Sequence, residues 1–227
     1  MKIHERIKPH FGVVLLFCLC FGAASHAQKP TASDQLVLSN VTVVDVRTGA
    51  LHAEQTVVLE GNRIASVEPS KSAKHPRNAP IVNSRGLFLI PGLWDMHVHL
   101  VFGDWFPDAR DISLPLFIAN GVTGVRDMGG DWETLRAWRR EIASGALVGP
   151  RIVASGPYIE GGDVPIAHLV ARTPDEGRTA VDSLVALGVD FIKVHTQLKP
   201  ETYYAVARRG LSHLFVVTSG AMLRAAP

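Results

Sequence analysis

The sequence predicts an α/β protein: an incomplete TIM-type (β/α) barrel preceded by a small β-subdomain. Three observations carry this. From Phe88 onward, short apolar runs alternate with segments that read as helices, the pattern of a parallel sheet with crossover helices. Before Phe88 the segments are extended, and Gly61-Asn62 between two of them is a hairpin signal, because both residues accept positive φ. The alternation then stops after four complete strand–helix units and one further strand, whereas closure needs eight.

The elements follow in order. Lys2, Arg6 and Lys8 precede an apolar run, Phe11–Ala24, and Ser25-His26-Ala27 offers small residues before a cut. Residues 1–27 therefore read as a signal peptide cleaved after Ala27, with an uncleaved anchor as the alternative. The run is shorter than the roughly 20 residues of a membrane span. A polar linker leads to a half-buried strand over 35–46, strands over 55–59 and 63–67, a charged loop over 71–80 and a short extended segment over 81–84. Residues 35–87 thus form the β-subdomain. Phe88–His99 reads as the first barrel strand, then a helix over 112–120, a strand over 122–127, a helix over 132–144 ending at Gly145, and a strand over 151–155. Thr173-Pro174-Asp175-Glu176 combines a capping residue, proline at the first helical position and a glutamate three residues on, so a helix starts there and stops at Gly188. A fourth strand spans 190–195, a helix 200–209 and a fifth strand 214–218.

Charge and cysteine content narrow the function classes. The 227-residue chain has 23 Lys+Arg and 21 Asp+Glu, a formal net charge of +2. Three of those cations and one of those acids lie in residues 1–27, so the mature chain is neutral. No basic patch remains to bind nucleic acid, and no long apolar helix remains to hold a membrane. Both cysteines, Cys18 and Cys20, leave with the leader, so the mature chain needs no disulfide in an oxidising compartment. An exported protein, periplasmic or secreted, is expected.

Candidate chemistry centres on Leu89–Leu100. Its two histidines, His97 and His99, are one residue apart, and alternate side chains of a strand share a face. Two imidazoles at the C-terminal end of a barrel strand form half of a metal site; the alternative is a pair satisfied by ordinary hydrogen bonds. Lys193 near the end of an apolar strand is costly unless paired, modified or able to reach solvent at the rim. His195 shares its face and reads as a rim histidine. Arg126 and Asp127 are adjacent and face opposite ways; Asp127 either orients a metal-bound histidine or makes a structural salt bridge. Glu160-Gly161-Gly162-Asp163 reads as a mobile rim loop without a signature of its own.

Pro91-Gly92-Leu93-Trp94-Asp95-Met96-His97-Val98-His99 resembles the first-strand signature of the metal-dependent amidohydrolase superfamily. Leu38–Asp45 and Val58–Ile64 resemble that family's N-terminal β-sandwich strands. Gly121-Val122-Thr123-Gly124-Val125-Arg126-Asp127-Met128-Gly129-Gly130 resembles its second barrel strand, in the branch of imidazolonepropionase and Xaa-Pro dipeptidases. The resemblance runs over residues 35 to 208. It implies a hydrolase of carbon–nitrogen bonds other than ordinary peptide bonds, acting on a small-molecule amide, cyclic imide or dipeptide. It also implies that His97, His99 and a carboxylated Lys193 hold one or two divalent metals, zinc being the expected ion.

The family completes its site with histidines from strands five and six and an aspartate from strand eight that serves as general base. Here His213 precedes the fifth strand, and no aspartate follows Asp190. Residues 209–227 depart from the family pattern, so the resemblance implies a C-terminally truncated chain, with a shift of reading frame near Arg208 as one origin. Residues 88–208 would then be the first half of the barrel, and activity would be impaired or lost. The alternative function is a non-catalytic fragment with weak metal binding or partner association. Half a barrel leaves strand edges and apolar faces open, so self-association or aggregation is expected.

Overall fold

The computed structural model describes residues 35–213 except 102, 106 and 165–167, together with the backbone of 217–219. The expected leader and most of the tail lie outside the described residues. The chain divides into two compact units, Met1–Ile90 and Pro91–Pro227.

In the first unit, β1 (Gln35–Val44), β2 (Leu51–Glu60) and β3 (Arg63–Pro69) form an antiparallel meander. Glu60 pairs with Arg63 across the two-residue turn at Gly61-Asn62. β4 (Ile81–Asn83) and β5 (Phe88–Leu89) add in parallel to β1. The described strands make one sheet, in the order β3-β2-β1-β4 with β5 also on β1, where two sandwich layers were expected. Its buried apolar cluster is small, formed by Val37, Val58 and Ala79.

The second unit holds the parallel strands. The expected strand Phe88–His99 is split: its first residues join the sheet of the first unit as β5, and β6 runs over Leu93–Val98. Pro91 has no N–H to give a ladder. A side chain at Gly92 would strike Thr123 within 1.9 Å, and pairing resumes where the Leu93 N–H donates to the Gly121 carbonyl. A π-helical turn at Ala109–Ser113 leads into α1 (Leu114–Ala119), then β7 (Val122–Asp127), α2 (Trp132–Ser144) and β8 (Arg151–Ala154). Two short strands follow that the sequence reading lacked, β9 (Tyr158–Glu160) and β10 (His168–Val170). Then come α3 (Pro174–Leu187), β11 (Ile192–Val194), α4 (Pro200–Ser212) and β12 (Val217–Ser219).

The parallel strands pair as β6-β7-β8 and β10-β9-β11-β12. A backbone bond from the Asp190 N–H to the Ala154 carbonyl, 2.9 Å, links β8 to the approach of β11. The described strands make no closed barrel. Alternation divides each strand into two faces. Val125, Ile152, Ala154, Ile159, Ile192 and Val194 pack against Leu135, Val181, Leu184 and Val206 of the helices. Burying each Val, Leu or Ile side chain there is worth about 1.5–3 kcal/mol. The intervening residues fall on the other, inner face, which carries the polar side chains. Among the described residues, no helix is long and apolar enough to cross a membrane.

Candidate active site

The site is built at the C-terminal ends of the parallel strands, where α/β barrels place their chemistry. His97 is the fifth residue of β6, and His99 follows the strand's end. Their rings meet edge to face with centroids 5.4 Å apart. His99 Nδ1 lies 2.9 Å from the Gly129 carbonyl, so as an N–H donor it fixes the ring and puts the lone pair on Nε2. His97 is more exposed, and its pKa is held below the usual imidazole value, first by burial and then by the Lys193, His99 and Arg126 charges.

Lys193, in the middle of β11, is 2% exposed. Burial, aided by the nearby Arg126 charge, holds its amine below the ordinary lysine range. Among the described residues no carboxylate pairs with it. The structure thus brings the three expected ligands to one face: two imidazoles in ring contact, with the Lys193 charge near enough to bear on His97. Among the described residues, no three His, Cys, Asp or Glu side chains gather as a metal-binding group.

Asp127 acts through the backbone around His99. Its carboxylate accepts from the backbone N–H of Leu100 at 2.7 Å and of Gly129 at 3.1 Å. It therefore ties the segment after His99 to the turn whose Gly129 carbonyl holds His99. Burial pushes its pKa up to about 6 against those two hydrogen bonds.

The larger surprise is Glu160. The expected mobile rim loop begins with a fully buried carboxylate at the end of β9. It meets His195 Nδ1 at 2.7 Å, accepts from the Thr196 hydroxyl at 3.0 Å and the Thr196 N–H at 3.2 Å, and accepts from the Gly161 N–H at 2.9 Å. His195 is thus no isolated rim histidine. Gly161 must be glycine, since a Cβ there would lie 1.9 Å from the Gln197 carbonyl oxygen. Tyr158, two residues before Glu160 and on the same face, is 2% exposed; its ring sits 5.0 Å from that of His195 and 6.3 Å from that of His168. Its hydroxyl finds no hydrogen-bond partner among the described residues. The sequence signal for this cluster was the alternation Tyr158-Ile159-Glu160, too short to stand out as a strand. His213, which the sequence reading puts ahead of the fifth strand, contacts Asp182 of α3 at 3.2 Å beside Arg209, in the helix layer.

No protein-family model matches the chain. The enamidase of Eubacterium barkeri is 31% identical over 80 residues, 35% of this chain and 20% of that one. The adenine deaminase of Cenarchaeum symbiosum (strain A) is 24% identical over 163 residues, 68% of this chain and 25% of that one. A solved structure from Bifidobacterium longum, assigned as a prolidase, is 27% identical with a TM-score of 0.70, covering 82% of this chain and 49% of that chain. The structure of an amidohydrolase, 20% identical with a TM-score of 0.66, covers 82% and 55% and shares the fold. The match thus spans a quarter or less of these curated relatives and about half of the solved structures. Fold and site define an α/β protein whose parallel strands open their C-terminal ends onto a histidine pair. The solved structures that share this fold include amidohydrolases and prolidases, in line with the resemblance read from the sequence.

Proposed function

We propose that the chain serves a metal-dependent, exported hydrolase of carbon–nitrogen bonds other than ordinary peptide bonds, with a small-molecule amide, cyclic imide or dipeptide as substrate. One observation carries the reading: the His97–His99 pair closes the first parallel strand, with His99 Nδ1 held by a backbone carbonyl. A metal-ligating histidine commonly uses its second nitrogen in this way. The enamidase, adenine deaminase and prolidase among the similar proteins agree with it.

The residues present fit a divalent ion of the zinc type. His97, kept neutral by its surroundings, and His99 offer imidazole nitrogens, and ligation requires the neutral form. Lys193 is buried without an acidic partner among the described residues, a setting suited to the carboxylated form that would make it an anionic ligand. When bound, such an ion would supply Lewis acidity toward a substrate carbonyl and toward water. The chain's own groups do the positioning. Asp127 and Gly129 hold His99 in place, and Glu160 orients His195, whose side chain is 40% exposed and can bond a ligand through Nε2.

The test is metal content and turnover of the purified chain loaded with zinc. One or two ions per chain, lost on joint replacement of His97 and His99 by alanine, and hydrolysis within a panel of amides, cyclic imides and dipeptides are expected. The missing third His, Cys, Asp or Glu among the described residues favours a second reading, a non-catalytic fragment that binds metal weakly or associates with a partner. Weak metal binding without turnover of any panel member would select that reading.

A further inference from the structure

Lys193 stands on the inner face of β11 with no bond to its amine. Ile192 and Val194 on either side of it turn into the apolar cluster under the helices, so alternation puts Lys193 on the opposite face. Its side chain is buried, 2% exposed, and no acceptor bonds the amine among the described residues. A buried ammonium with three idle donors is costly. The acids of this face are engaged elsewhere. Glu160 is taken by His195, Thr196 and the Gly161 N–H, and Asp95 accepts from the His97 backbone N–H at 3.0 Å.

Arg126 makes the cost larger. Its Nε–H donates to the carbonyl of Met96, one residue before His97, at 2.8 Å. Its guanidinium lies over the ring of Phe191, two residues ahead of Lys193, at 5.5 Å from the centroid. The group therefore reaches from the strand of His97 to the strand of Lys193. Burial, and after it the Arg126 charge, holds the Lys193 amine below the ordinary lysine range. The two terminal amino groups of Arg126 bond no acceptor among the described residues. Two cations thus share one face, and neither has an acid of its own there.

Carboxylation of Lys193 removes one of these cations and supplies the anion that the other lacks. The free amine attacks the carbon of carbon dioxide. An N–C bond forms, one C=O electron pair moves onto oxygen, and the nitrogen gives up a proton to water. The product is a planar carbamate with two oxygens, the shape that a guanidinium fork meets with parallel N–H···O bonds. We infer that Arg126 is the counter-ion of a carbamate on Lys193 and holds it there before any metal arrives. Arg126 is in this role a positioning residue. The inference rests on the hydrolase reading above for Lys193 as an anionic ligand, and adds what secures that ligand. The fork is already fixed by Met96 and Phe191, so little of its hydrogen-bonding energy is spent on ordering the side chain. The supply of carbon dioxide, and not of metal, then sets the share of chains whose ligand is in place.

The experiment follows the full chain, freed of metal by a chelator, in buffer holding carbon-13 bicarbonate. Carbon NMR shows a carbamate as a signal apart from those of bicarbonate and carbon dioxide. Wild type should carry that signal without metal, and Lys193→Met should lack it. Arg126→Met should raise the bicarbonate needed for half-occupancy about tenfold or more, the scale of a charge-assisted pair. Arg126→Lys, which keeps the charge without the fork, should recover a part of the loss. A circular-dichroism melt checks that each variant is folded. A wild-type chain that takes up label only once zinc is added, or never, overturns the inference. So does a signal surviving Lys193→Met, or wild-type occupancy in Arg126→Met or Arg126→Lys. Zinc content and turnover on the amide panel are scored separately. Zinc binding and turnover without a metal-free carbamate sink this inference and leave the hydrolase reading standing. A metal-free carbamate that depends on Arg126, without zinc binding or turnover, does the reverse, and the absence of all three sinks both.

Discussion

Asp127 is a charged residue placed where charge is expensive. Burial raises its pKa from 3.8 to about 6 although two backbone N–H groups favour the carboxylate. Because the folded value lies above the unfolded one, folding favours the protonated form. The contribution is complete below about pH 4 and is lost as pH rises through about 6, on the order of 2–3 kcal/mol in all. With a chelator present, the wild-type unfolding free energy should carry that downward step, and Asp127→Asn should lack it; identical pH slopes would refute the assignment. Tyr158 makes the opposite case. Its hydroxyl is buried without a partner among the described residues, so the native state gains no hydrogen bond from it. Tyr158→Phe should therefore leave the melting temperature unchanged or raised, whereas removing a satisfied hydroxyl costs about 1 kcal/mol. A clear drop in the melt would show that the hydroxyl is bonded in solution.

The helices stand on local signals, and that is why they were legible. Thr173 accepts from the Glu176 N–H while the Glu176 carboxylate accepts from the Thr173 N–H, the reciprocal box that the spacing predicts. Thr173→Ala should cost about 1 kcal/mol in a denaturant titration, with no change in metal content. α2 and α3 end as expected at Gly145 and Gly188, both at φ +77°, a conformation that favours glycine. β7 was legible for the same reason, a short apolar run bounded by Gly121 and Gly129. What the sequence hid depends on distant contacts. Glu160 looks like the start of a polar loop because its partners, His195 and Thr196, lie 35 and 36 residues away. Phe88–His99 looks continuous because nothing local says that Phe88-Leu89 pairs with Thr42-Val43. The spacing of His97 and His99 was visible, but the orientation of His99 depends on the Gly129 carbonyl, and that of Arg126 on Met96 and Phe191.

At the scale of the whole molecule, what matters is the edge of the parallel sheet. β6 has β7 as its one strand neighbour among the described residues, and its large apolar side chains are half in water: Leu93 is 51% exposed, Trp94 44% and Met96 50%. An edge strand guards itself with charges, bulges or short length. β6 has a register irregularity against β7 between Asp95 and Val98, and Asp95 is its one charged side chain. That is thin protection for three large apolar groups, and the chain's small formal net charge of +2 adds little repulsion between copies. Self-association through this edge is the expected outcome. In sedimentation equilibrium the average mass should rise with protein concentration, and Met96→Lys should return it toward the monomer. The same substitution should leave the melting temperature nearly unchanged, since an exposed side chain contributes little to the packed core. If Met96→Lys leaves the mass distribution as it was, the association runs through another surface; if the wild type stays monomeric throughout, the bulge and Asp95 suffice to guard the edge.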